Sequence, residues 1–419
     1  MEIYSEKMLA ALDQQDLEEA NRNLKKAIQN DPPEYLANLG EELFHLGFLE
    51  EAQTVFEHLE RAVPDEDGWQ IDLAEIAIEN GDADQAIAHL DRISKDSDNY
   101  PTALLTAADL YQTLGMPEVS VQKLKEAAEL LPQEAVITFS LGELFYSQGK
   151  YLSAIVYYEQ LLAAGVNEMA GVSVEERLGF SLSSLGDFEE ALPHLERALA
   201  EKETEDRLFY LAFTNEQLHE HERAINEYEK LRALNPRYTS LYPHLGKLLQ
   251  EEDRLEEAQT VLLEGIREDP YQAELFRLAA DNSYRLHDAK KSEELLWQGL
   301  ALGEKNDELN LALGNLLLEQ ERFDEAITTL LAVEGEDPYA KWELAQAYQA
   351  QEDYENAGSY YAQAAKELVN EPDFLKDYGL FLRDEGAVKQ AQELFKKYLT
   401  LVPGDLEIES LLDDSDREG

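Results

Sequence analysis

Gly186-Asp187-Phe188-Glu189-Glu190-Ala191 is a short motif that closes on a small residue, and it recurs. Gly81-Asp82-Ala83-Asp84-Gln85-Ala86 repeats it, and Gln320-Glu321-Arg322-Phe323-Asp324-Glu325-Ala326 repeats it more loosely. Following the last residue of the motif gives Ala20, Ala52, Ala86, Ser120, Ala154, Ala191, Ala224, Ala258, Ser292, Ala326, Ala357 and Ala391. The intervals are 32, 34, 34, 34, 37, 33, 34, 34, 34, 31 and 34 residues. A period of this length marks a stacked repeat architecture, in which each unit needs only its neighbours to bury its apolar face.

Twelve positions before each of these lies a second small residue: Gly40, Ala74, Ala108, Gly142, Gly179, Ala212, Gly246, Ala280, Gly314, Ala345 and Gly379. Only the first unit departs, with Met8. Paired small residues at this spacing suit two helices whose backbones approach closely, where a larger side chain would push them apart. Four residues after the second small position comes a large apolar one: Leu24, Phe56, Leu90, Leu124, Tyr158, Leu195, Tyr228, Leu262, Leu296, Leu330, Tyr361 and Phe395. A spacing of four keeps both on one helix face. Each unit therefore reads as a first helix, a short turn, a second helix and a second turn. Gly186 suits a left-handed C-cap of the first helix, and Asp187 is expected to N-cap the second with Glu190 in capping-box fashion. Prolines at 32, 64, 132, 236, 270 and 403 close many units.

Leu141-Gly142, Phe145, Gly149, Tyr151, Ala154, Tyr158 and Leu161 resemble the signature of the tetratricopeptide (TPR) repeat. Leu245-Gly246, Leu249, Ala258, Leu262 and Pro270 fit the same frame. The resemblance runs over about 1–405 and is greatest to acidic, whole-chain TPR proteins of Gram-positive bacteria. It implies an all-α, right-handed superhelical α-solenoid of about twelve helix pairs. Weak aromatics in the first helices of units 3, 9 and 12, and a shortened second helix in unit 10, depart from the pattern. The 37-residue interval, with Ala163 to Gly171, is expected to loosen one junction, and Val333 to Pro338 to bend another. Pro193 is expected to kink its helix or shift its start. Leu406, Leu411 and Leu412 are expected to form a short cap over the open end, with a disordered acidic tail from Asp413 to Gly419.

The 419 residues carry 35 basic and 89 acidic side chains, a net charge of −54. Such a field repels nucleic-acid phosphates and anionic lipid and attracts basic partners. There is no cysteine, so disulfides and thiolate metal sites are excluded. No stretch approaches the ~20 apolar residues that span a bilayer, and the N-terminal residues have no signal-like character, so a cytoplasmic protein is expected.

The family resemblance implies that the first helices line a concave groove. At the inward positions, units 5 to 7 supply Phe139, Glu143, Tyr146, Phe180, Phe209, Phe213 and Glu216, and unit 11 supplies Trp342. Glu41, Phe44, Glu75, Glu79 and Asp109 fall at equivalent positions in units 2 to 4. Aromatics beside carboxylates suit a partner peptide or helix with basic and apolar residues. The alternative is that the large residues only pack neighbouring helices together. The Lys/Asn/Arg set by which some TPR co-chaperones clamp a C-terminal carboxylate is absent: Arg277 and Arg285 flank Asp281.

The eight histidines are scattered, and His219 and His221 have no evident third ligand. No H-E-x-x-H, Walker A, G-x-S-x-G or kinase motif occurs. No metal, cofactor or catalysis is expected. The leading function is a non-catalytic scaffold that binds a partner peptide or helix, with a peptide-responsive regulator or a chaperone-like assembly factor as alternatives. A monomer is favoured over self-association.

Overall fold

A computed structural model describes residues 3–303 and 306–418, with side chains given through Leu412. Twenty-five helices are found among them, and the first twenty-four form twelve antiparallel pairs. The chain divides into two compact units, Met1–Glu203 and Thr204–Gly419. Six helix pairs fall in each, and the second unit also holds the last helix, Leu406–Glu418.

Within each pair the small-residue frame is realised directly. The large apolar series is buried throughout, with Leu195, Tyr158, Tyr228, Leu262 and Tyr361 at 0% exposure. In six repeats the residue sixteen positions earlier, on the first helix of the same pair, is a glycine against which the large residue packs. A methyl group on Gly142 would come within 2.8 Å of the Tyr158 ring, and one on Gly246 within 2.3 Å of Leu262. The ring of Phe395 lies as close to Gly379, at 2.5 Å from such a methyl. Successive first helices also touch one another, as Glu205–Gln217 touches Leu241–Glu251, and Asp307–Glu319 touches Pro338–Ala350. Second helices are farther apart, so within each unit the first helices form the tighter layer.

The turn between paired helices needs one residue in the left-handed region. Gly186 supplies it with φ 87°. Glu352 occupies the same turn position with φ 64°, which costs a residue bearing a Cβ about 1–2 kcal/mol. Glu352→Gly is therefore expected to stabilise the chain by about 0.5–1 kcal/mol, after the greater freedom of glycine in the unfolded chain is deducted. The urea midpoint of unfolding checks this, and a lower midpoint would contradict it.

Several local expectations are corrected. Asp187 caps nothing through its side chain, although Asp82, Asp288 and Asp353 at equivalent positions accept from the backbone N–H three residues on, at 3.0, 2.9 and 3.2 Å. Pro193 does not shift its helix, which runs unbroken from Phe188 to Glu201. The proline lacks the donor that would reach the Glu189 carbonyl one turn earlier. The junction at 163–171 is ordered into a two-stranded ribbon, in which Glu168 pairs with Ser173 and Met169 with Val172. Ala170 and Gly171, with φ 50° and 77°, make its two-residue turn. The second helix is short in repeat 3 as well as in repeat 10, ending at Leu90 and Leu330 where Asp-, Ser- and Gly-rich turns follow.

The end of the array is covered by the last helix, and Ile408, with 0% exposure, fills the space beneath it. Leu411 and Leu412 pack there partly, whereas Leu406 is 78% exposed and points away. Asp405 fastens this helix, accepting from Lys376 Nζ at 3.0 Å and from the Tyr398 hydroxyl at 2.8 Å. The backbone at 413–418, where disorder is expected from composition, continues the helix to Glu418, and Gly419 lies outside the described residues.

Candidate binding surfaces

In the second unit the helix Glu205–Gln217 starts at Thr204, whose hydroxyl accepts from the Arg207 N–H at 3.4 Å. Phe209, Phe213 and Glu216 follow at spacings of four and three and so share one face. The two phenyl rings lie nearly parallel with centroids 6.4 Å apart. Tyr228, from the paired helix His221–Leu234, rises beneath them and is fully buried. Its hydroxyl donates to Glu216 at 2.9 Å. His244, from the next first helix, stacks on Tyr228 at 5.8 Å and places Nδ1 3.0 Å from Glu216. Phe209 also contacts Tyr238 at 5.3 Å. Burial, then the Glu216 carboxylate, pushes the Tyr228 phenol well above its ordinary value, so it stays a proton donor. The outcome is a half-buried aromatic patch around an anchored carboxylate.

In the first unit Glu143 accepts from the Tyr158 hydroxyl at 2.5 Å and from Arg177 Nε at 2.9 Å. The Arg177 guanidinium lies 4.7 Å from the centroid of the Tyr146 ring, a cation–π arrangement. Phe139 and Phe180 do not belong to any surface here. They are 8% and 3% exposed, sealed in the interior of the first unit. Trp342 is only half-buried, but it is committed to packing: its indole N–H donates to Asp377 at 2.6 Å, and its ring meets Phe374 edge-on.

These contacts share a device that sequence reasoning does not anticipate. At the frame position where nine repeats carry Leu or Phe, three carry Tyr. Each of those hydroxyls is delivered through the core to a carboxylate: Tyr158 to Glu143, Tyr228 to Glu216, and Tyr361 to Asp377 at 2.8 Å. The signal available was the hydroxyl itself, since a buried phenol requires a partner.

The acidic positions of repeats 2 to 4 are also placed. Glu41, Phe44, His45, Asp72 and Glu75 border a small recess over Phe56. Burial, reinforced by Glu75 and Glu41, raises the Asp72 carboxyl to about 7. Glu79 and Asp109 are exposed on their helices. His219 and His221 lie with rings 5.9 Å apart, and His221 Nδ1 sits 2.7 Å from Glu252. Among the described residues no group of three or more His, Asp or Glu is placed to hold a metal ion. Nor is any helix among them long and apolar enough to cross a membrane.

Known protein families and relatives match the repeats. Models described as "YpiA-like, C-terminal tetratricopeptide repeats" and "YpiA-like, tetratricopeptide repeats" match residues 338–405 and 112–166. Two described as "Tetratricopeptide repeat" match 43–110 and 277–341. The TPR repeat-containing protein YpiA of Bacillus subtilis (strain 168) is 36% identical over 372 residues, 88% of each chain. Among solved structures, a chain of the APC/C hetero-tetramer Cut9–Hcn1 is similar with TM-score 0.45 and 13% identity, over 97% of this chain and 95% of that one. Yeast Tom70 is similar with TM-score 0.43 and 15% identity, over 99% and 95%.

Proposed function

The chain belongs to the tetratricopeptide repeat family, together with the YpiA-like proteins, and from that premise we propose that it is a non-catalytic scaffold holding a partner protein on its first-helix surfaces. The observation that carries this reading is the state of Phe209 and Phe213. Aromatics at the small-residue frame are sealed in the core, whereas these two are half-buried beside His244 and Glu216. Rigid rings that stay partly accessible offer apolar area at little entropic cost, and the neighbouring carboxylates select a segment with Lys or Arg beside its apolar anchors. Glu143, Tyr146 and Arg177 offer a more polar surface of the same kind in the first unit. The net charge of −54 disfavours nucleic acid as the partner and raises the association rate of a basic one.

Capture of partners from a native lysate tests the reading. A specific protein retained by the natural chain is expected to fall at least ~10-fold with Phe209→Glu, Phe213→Glu, since aromatic hot spots contribute about 2 kcal/mol or more each. Circular dichroism establishes that the variant remains helical. Undiminished retention would move the partner away from this patch.

A further inference from the structure

A groove of about 540 Å³ lies farther along the second unit, between the helices Ala273–Arg285, Asp307–Glu319 and Pro338–Ala350. Its size is that of a cleft for a side chain or small ligand. The floor is apolar, from Ala280, Leu296, Leu311 and Leu316, and the walls carry Asp281, Glu319 and Glu343. Arg277 is the cation among the lining residues; its Nε lies 3.0 Å from Glu308 but is buried and makes no aligned hydrogen bond. Tyr284 donates its hydroxyl to Glu319.

Glu343 is the unusual member. Its Oε1 accepts from Asn315 Nδ2 at 3.1 Å, while its Oε2 is shut away from solvent with no hydrogen-bond partner. A buried carboxylate oxygen without a donor carries the full cost of desolvation, so a ligand that supplies the donor recovers it.

We propose that this groove receives a lysine side chain of a partner segment, with the ammonium donating to Glu343 Oε2 and the methylene stem lying along Leu311 and Leu316. The excess of carboxylates over the single arginine supplies the charge complementarity. The choice of lysine follows from the vacancy. One oxygen lacks a donor and the other already accepts from Asn315, which suits a compact point donor and not the two-pronged guanidinium fork. The four-carbon stem matches the apolar floor, as lysine stems do when only the charged head requires polar surroundings. This inference rests on the protein-binding reading above and specifies a chemistry at a separate place.

The test uses n-hexylammonium as a lysine side-chain probe, with hexan-1-ol and n-hexylguanidinium as controls, followed by NMR on the full chain. The expected result is saturable shifts of the Asn315 side-chain amide and the Leu311 methyls with hexylammonium, at an affinity at least ~5-fold above either control. Glu343→Gln, close in shape, is expected to remove that preference. Equal binding of the three probes, or tighter binding of the guanidinium, would overturn the lysine assignment. So would an unchanged preference in Glu343→Gln. If that variant does not fold, the probe comparison on the natural chain decides alone. Because no partner protein is involved, failure here leaves the Phe209 and Phe213 test standing, and failure there leaves this one.

Discussion

Tyr228→Ala is expected to lower the unfolding free energy of the second unit by about 3–5 kcal/mol, the range for removing a buried aromatic side chain. The ring is fully buried, sits four residues after Ala224, and fills the space against Ala212, Phe209 and His244. Truncation leaves a cavity that the closely packed helices cannot close, and it strips Glu216 of the hydroxyl donor at 2.9 Å. Tyr228→Phe separates the two contributions. It keeps the volume and removes only the bond to the carboxylate, at an expected cost of about 1.5–3 kcal/mol. Urea unfolding followed by circular dichroism gives the total, and hydrogen exchange gives the location. Protection should fall first in 205–251. A loss below about 1 kcal/mol for the alanine variant would mean that the repeats tolerate voids far better than their packing indicates.

Stability should also fall as pH rises from about 5 to about 8, the reverse of what salt-bridged carboxylates produce. Burial, then Glu75 and Glu41, lifts Asp72 to about 7. Burial lifts Glu343 to about 7, with Asp337 and Glu319 adding to the rise and the bond from Asn315 opposing it. Both carboxyls have ordinary values near 4 when the chain is unfolded. Between about 4 and 7 the folded state therefore holds more protons than the unfolded state, and the unfolding free energy declines with rising pH. Above about 8 the penalty is complete and constant. After allowance for partial solvent access, it amounts to about 2 kcal/mol for each group. Asp72→Asn is expected to raise the melting temperature at pH 8 and to raise it much less at pH 5, so the difference between natural chain and variant isolates this residue from the general charge repulsion. A variant that stabilises equally at both values would rule out ionisation of Asp72 as the cause.

The helix pairs were legible because a constraint on size repeats in sequence. Ala52, Ala154, Ala191, Ala258 and Ala326 are all 0% exposed. The candidate surfaces were legible only in part. Helical spacing says that Phe139, Phe180, Phe209 and Phe213 fall at equivalent positions, but not how the neighbouring side chains cover them, and the first two are buried while the second two are half-open. The carboxylate partners of Tyr158, Tyr228 and Tyr361 come from other helices, so no local pattern announces them. The ribbon at Glu168–Ser173 escaped because Ala-Gly is a weak turn signal where Asn-Gly would have been a strong one. The division into two units after Glu203 follows from packing and has no counterpart in the repeat spacing.

The patch of Phe209, Phe213 and His244 is the surface we propose for the partner protein. Photo-crosslinking tests it most directly, with p-benzoylphenylalanine replacing Phe213 in one preparation and Leu152 in another. Leu152 is a useful control because it is 72% exposed on a second helix, away from the first-helix surfaces. A discrete crosslinked species is expected from position 213 and none from position 152. A species formed from position 152 alone would contradict it and place the partner on the second-helix face.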